Sequence, residues 1–79
     1  MIIDIQYFGQ VAEITSRTQE RLELENQTTV GQLDELLCHK HPQLSKLSYK
    51  IAVDQTFAST EIVLTSENEI ALLPPFSGG

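Results

Sequence analysis

Near the start of the chain Ile3, Ile5 and Tyr7 alternate with Asp4 and Gln6, and an apolar–polar alternation of period two predicts a strand with one buried face. Phe8-Gly9 closes it. Within Gln10 to Thr15, Val11 and Ile14 lie three apart, which supports one short helical turn and no more. Arg21-Leu22-Glu23-Leu24-Glu25 alternates again, so a second strand is expected there, both leucines on one face, paired with the first. Asn26-Gln27 is a polar break.

Thr29 followed by Gln32 fits a capping box, in which hydroxyl and amide satisfy the first free backbone donors of a helix. Val30, Leu33, Leu36 and Leu37 recur at helical spacing and predict one apolar face. Asp34 and Glu35 early in this helix, and His39, Lys40 and His41 late, complement its dipole. Pro42 ends it, because continuing a helix through proline costs about 3 kcal/mol. Leu44 and Leu47 are expected to anchor a loop to the core. Ile51-Ala52-Val53 predicts a third strand and Asp54-Gln55 a turn, whereas Phe57 to Leu64 shows only the alternating pair Ile62 and Leu64. Ser66-Glu67-Asn68-Glu69 is turn-like, with Asn68 suited to a left-handed conformation. Ile70-Ala71-Leu72-Leu73 is a run typical of a strand buried on both faces. The order predicts an α+β fold, a mixed sheet with one main helix across it, over residues 1–73.

At 79 residues the chain makes one domain, and one this small buries only roughly 60–65% of its unfolded surface. That leaves little room for an enclosed active site, so a partner is expected to supply the pocket. Eleven acidic residues against five basic ones give a formal charge of −6, which disfavours nucleic acid and anionic membranes and suits a basic protein surface. A single cysteine, Cys38, excludes an intrachain disulfide and multi-cysteine metal sites. Met1-Ile2-Ile3-Asp4 does not resemble a signal peptide, no apolar run is long enough to span a membrane, and a reducing cytoplasmic setting is expected.

Cys38-His39-Lys40-His41 raises the question of a metal. Helical neighbours diverge by about 100°, so these side chains do not converge on one ion, and both histidines are expected in solvent at the helix end. Glu23 with Glu25, and Glu67 with Glu69, read as carboxylates facing water. No nucleophile triad or Gly-rich phosphate loop is present. Independent catalysis is not expected, nor is a bound cofactor or metal.

The exceptional segment is the end. Residues 70–79 carry no charged side chain, and Pro74-Pro75-Phe76-Ser77-Gly78-Gly79 predicts an extended tail, since the prolines forbid a helix and pre-set the backbone. Six extended residues reach about 20 Å. Glycine at the last two positions admits the backbone to a narrow channel and leaves the Gly79 carboxylate open to attack. A bare Gly-Gly end is also what fraying produces, but a buried strand, Pro-Pro, an aromatic residue and Gly-Gly in succession favour a functional arm.

At these residues the chain resembles the small, sulfur-carrier subunits of molybdopterin synthases, within the ubiquitin-like β-grasp group. Glu69 to Gly79 carries most of the resemblance, and Phe8-Gly9-Gln10 and Ala52-Val53-Asp54-Gln55-Thr56 support it. The resemblance implies a co-substrate rather than a catalyst. An ATP-dependent activating enzyme adenylates the Gly79 carboxylate, and sulfur transfer converts it to a thiocarboxylate. The tail (Pro74, Pro75, Phe76, Ser77, Gly78) then enters the large catalytic subunit and delivers sulfur to cyclic pyranopterin monophosphate, within a heterotetramer. Docking in that family uses an apolar sheet patch, matched here by Phe8, Phe57 and Leu73. Carriers for thiamine or thiolated-tRNA synthesis, and protein modifiers, share the fold and terminal chemistry and stand as alternatives. One departure is the turn Ser66-Glu67-Asn68-Glu69, which lacks the family's glycine and leaves its conformation open.

Overall fold

Alternate residues of the strands divide between two faces, and the pairing keeps that division in register. The computed structural model describes residues 1–74. Its elements are β1 (Ile2–Tyr7), α1 (Gly9–Thr15), β2 (Gln19–Glu23), α2 (Val30–Lys40), a 3-10 turn (Pro42–Lys46), β3 (Lys50–Val53), β4 (Thr56–Phe57) and β5 (Ile70–Leu73). The strand order is β2-β1-β5-β3-β4, with β1 parallel to β5 and every other pairing antiparallel. Ile5 pairs with Ile70, Tyr7 with Leu72, Ile51 with Leu72 and Val53 with Ile70. All of these residues are buried. Val30, Leu33 and Leu37 of α2 join them in one core, with Leu44 and Leu64. This is the ubiquitin-like β-grasp arrangement.

Helix α2 begins as the capping box requires. Gln32 N–H donates to Thr29 Oγ1 at 3.2 Å, and Thr29 N–H donates to Gln32 Oε1 at 2.9 Å. Its apolar face is narrower than the spacing predicts, because Leu36 remains 42% exposed. Leu44 anchors the 3-10 turn in the core, and Leu47 packs against the core partly buried. Asp54 and Gln55, both with positive φ (53° and 69°), form the β3–β4 turn in the primed geometry that suits hairpin twist.

Elsewhere the structure corrects the pattern. Helix α1 runs seven residues rather than one short turn. Ser16 adopts φ 60° at its end, and Ser16 and Arg17 N–H bond back to Glu13 and Ala12 carbonyls. That closure usually employs glycine, which is why serine conceals it. Strand β2 spans Gln19–Glu23 rather than Arg21–Glu25, two residues earlier. Leu24 is buried just beyond it, its N–H donating to the Met1 carbonyl at 2.7 Å. Strand β5 is buried on one face only, with Ile70 and Leu72 fully inside and Ala71 and Leu73 half-buried. Asn68 is not left-handed. It shapes the glycine-free turn with its side chain, accepting from Thr65 N–H at 2.7 Å and donating to Asp54 Oδ2 at 2.8 Å.

Candidate functional site

Among the described residues no helix covers the second face of the sheet at its β5–β3–β4 side. There Gln6 pairs with Ala71, Ala71 with Ala52, Leu73 with Lys50 and Ala52 with Phe57. Two alanines side by side leave a hollow, because their neighbours are long and they are not. The hollow is an open concavity with Ala52 and Ala71 in its floor, Phe8, Phe57 and Leu73 as apolar walls, and Gln6, Gln55 and Glu69 at its rim. Phe8 and Phe57 keep 43% and 48% of their surface. Exposure on that scale for two aromatic rings marks an interaction surface more often than a scattered apolar side chain does.

The root of the tail, Pro74, is half-buried and follows Leu73 of this face directly in the chain. Phe8 N–H donates to the Leu72 carbonyl at 3.1 Å, so the β1–α1 junction is bonded to the last strand. Gly9 has φ +57°, and a Cβ there would sit 3.0 Å from Pro74 Cγ. Glycine therefore serves twice at this position, for its backbone and for the proline packed against it. At the far end of β5, Asp54 Oδ1 accepts from Glu69 N–H at 2.8 Å, and Asp54 N–H donates to the Glu69 carbonyl at 2.8 Å. Both ends of the strand that leads into the tail are thus tied to neighbouring turns.

Of the expected docking residues, Phe8, Phe57 and Leu73 come together around one concavity, although they lie far apart in the chain. Pro74 follows Leu73 in the chain. Pro75, Phe76, Ser77, Gly78 and Gly79 lie outside the described residues. The alanine floor was not anticipated, nor was Lys50, whose Nζ lies 5.2 Å from the Phe57 ring centroid. The signal for both was present in the alternation of Lys50, Ala52 and Ala71, once the strands are paired.

A buried charged cluster on the opposite face was also missed. Glu20 of β2 faces the core, 4% exposed. Tyr7 donates its hydroxyl to Oε1 at 2.7 Å, His41 Nε2 lies 2.9 Å from the same oxygen, and Lys40 and Arg17 pair with Oε2. Burial alone would raise the Glu20 pKa; hydrogen bonds from Lys40, His41 and Tyr7, with the Lys40 charge, outweigh it and hold the carboxyl at about 2. Burial, and then the bond to Glu20, raise the Tyr7 hydroxyl. His41 is thereby corrected from a solvent residue to a half-buried partner, while His39 is exposed as expected. Cys38 Sγ lies 3.1 Å from the Tyr49 hydroxyl, which donates to Asp34. Among the described residues no group of three or more His, Cys, Asp or Glu side chains could hold a metal ion.

A family model described as the ThiS family matches residues 5–79. The molybdopterin synthase sulfur carrier subunit of Mycobacterium tuberculosis is 35% identical over 80 residues, covering 98% of this chain and 96% of that protein. Among solved structures, small archaeal modifier protein 1 of Haloferax volcanii is similar with a TM-score of 0.83 at 21% identity, over 95% of this chain and 98% of that one. A chain from the Helicobacter pylori complex of subunits 1 and 2 of molybdopterin-converting factor matches over 100% of both chains, with a TM-score of 0.72 at 21% identity. At such identities the two structures bear on the fold alone.

Proposed function

We propose a mechanism from the premise that this chain belongs to the ThiS family: it is a sulfur-carrier subunit of the molybdopterin synthase type, and its working group is the Gly79 carboxylate. The chain itself is non-catalytic. It docks on a large catalytic subunit through Phe8, Phe57 and Leu73, and residues 74–79 act as the delivery arm. The observation that carries this reading is the junction at Leu73-Pro74, where the apolar open face and the root of an uncharged Gly-Gly tail are continuous.

The chemistry follows from the weakness of a carboxylate as an electrophile. A separate ATP-dependent enzyme joins a Gly79 oxygen to the α-phosphate of ATP and releases pyrophosphate. A sulfur nucleophile then attacks the acyl carbon and displaces AMP, leaving a thiocarboxylate. Inserted into the large subunit, the thiocarboxylate sulfur bonds to a carbon of cyclic pyranopterin monophosphate and displaces an oxygen there. Water then cleaves the acyl–sulfur bond, which leaves sulfur on the pterin and returns Gly79 as the free acid for another cycle. Because Gly78 and Gly79 lack side chains, neither attack meets steric obstruction. The reading places the exchange in the cytoplasm, in a heterotetramer of two small and two large subunits. No described helix is long and apolar enough to cross a membrane.

Intact-mass measurement of the chain after incubation with the activating enzyme, ATP and a sulfur donor tests this directly. A product about 16 Da heavier than the acid is expected, from replacement of one oxygen by sulfur. A variant lacking Gly79 should keep its fold, gain no sulfur and support no dithiolene formation. Dithiolene formation at the normal rate by that variant would overturn the mechanism, and an isopeptide remnant on target lysines would instead identify a protein modifier.

A further inference from the structure

Glu69 stands on the rim of the apolar concavity, and Lys50 lies just outside it, beside the wall residues Phe57 and Leu73. Lys50 pairs in register with Leu73, beside the exit of the tail, and its ammonium lies over the Phe57 ring. Glu69 lies at the other end of β5, four residues before Leu73, so the two charges are separated by roughly 13 Å of strand. Both are exposed and both have fixed roots. Lys50 is held by the β3–β5 ladder and by its ring contact, Glu69 by the two hydrogen bonds to Asp54. Arg17, Arg21 and Lys40 each hold a carboxylate, whereas neither Lys50 nor the Glu69 side chain has an ion-pair partner among the described residues.

A partner that covers Phe57 must also cover Lys50, because the ammonium rests against that ring. Removing a cation from water without an opposite charge is costly, so a fitting surface provides an anion there. The same reasoning requires a cation facing Glu69. We propose that Lys50 and Glu69 are specificity-determining residues of the docking face, and that the large catalytic subunit carries an acidic group opposite Lys50 and a basic group opposite Glu69. The occupant is argued from charge complementarity and from continuity with the tail, and the proposal rests on the sulfur-carrier reading above. Apolar walls supply affinity in either orientation. The two charges set the orientation, so that Pro74 points at the mouth of the catalytic subunit rather than away from it.

Two charge reversals decide the matter, with binding to the purified large subunit measured by titration calorimetry at low and high salt. Lys50→Glu lowers the net charge by two and Glu69→Lys raises it by two. Long-range attraction to a charged partner would move their affinities in opposite directions, whereas local complementarity weakens both. The expected result is about a tenfold loss of affinity for each at low salt, shrinking as salt screens the pair. Lys50→Gln and Glu69→Gln should lose less than the corresponding reversals, and Glu13→Lys, on α1, should stay within about twofold of the unaltered chain. At saturating concentration every variant with Gly79 intact should still deliver sulfur. Opposite-signed effects of the two reversals, or binding within about twofold for both, would overturn the proposal while leaving the sulfur-carrier reading in place. Failure of the unaltered chain to bind the large subunit would overturn both.

Discussion

On one face of the sheet Ile3, Ile5, Tyr7, Ile70 and Leu72 are each no more than 2% exposed, beneath the helices; on the other, Phe8 and Phe57 keep 43% and 48% of their surface. The same strands build both faces, often with adjacent residues. The covered face holds the fold together and tolerates even a charge, Glu20, because four side chains meet it. The open face buries Ala52 in its floor but keeps the rings of Phe8 and Phe57 about half in water. The difference is one of cover: α2 packs over the first within the chain, and the second stays open among the described residues. Both can be tested by asking whether a substitution is felt in stability or in binding.

The largest effect on stability belongs to the covered face. Ile5→Ala should cost about 3 kcal/mol in a denaturant titration, since a fully buried aliphatic side chain leaves a cavity the sheet cannot close. Against a total stability of the order of 5 kcal/mol, that variant should be partly unfolded at 37 °C. Phe57→Ala should give the opposite profile, under about 1 kcal/mol of stability but tenfold or more in affinity for the large subunit. A stability loss for Phe57→Ala equal to that for Ile5→Ala would erase the distinction between the faces.

Glu20 sharpens the comparison through pH. Its folded-state pKa, about 2, lies below the ordinary value of 4.5, so the unfolded chain takes up its proton first on acidification. The stabilisation is therefore complete above about pH 4.5 and drains away as pH falls toward 2. Glu20→Gln, which keeps an acceptor for Tyr7 but removes the charge, should cost about 1–3 kcal/mol at neutral pH and flatten that acid limb. An unchanged acid limb in the variant would show that the cluster does not govern it.

The smallest effect is expected where charges pair in open water. Asp4 and Arg21 lie opposite one another on β1 and β2, with a 2.8 Å contact, and the bond from Arg21 lowers the Asp4 pKa. Asp4→Asn should leave the unfolding midpoint within experimental error at physiological salt. A clear shift would mean that this half of the open face shares in the stability of the covered one.

How much was legible follows from which interactions are local. The capping box, the alternation in Ile3 to Tyr7, the Pro42 stop and the Asp54-Gln55 turn concern residues within a few positions of each other, and each was readable. Three things were not, two because their partners lie on distant segments and one because a serine stands where glycine is usual. Glu20 interrupts an apolar phase and so hides the true start of β2; its compensation comes from Tyr7, Arg17, Lys40 and His41, on separate elements. The α1 closure depends on a serine in a conformation usually given to glycine. The Ser66 to Glu69 turn dispenses with glycine because Asn68 and Asp54 supply the missing hydrogen bonds from two segments. Of the site, Phe8, Phe57 and Leu73 were named by resemblance, but their meeting in one concavity follows from the register of β5 between β1 and β3.

The sequence by itself determined the period of each main strand, the apolar stripe of α2 and the uncharged, glycine-ended tail, because these are properties of neighbouring residues and of backbone chemistry. Only the tertiary structure decided which apolar residues are covered. Leu72 and Leu73 are the same residue type, side by side, and the sequence treats them alike. The pleat directs Leu72 into the core and Leu73 onto the open face, since successive side chains of a strand point to opposite sides and the helices cover only one.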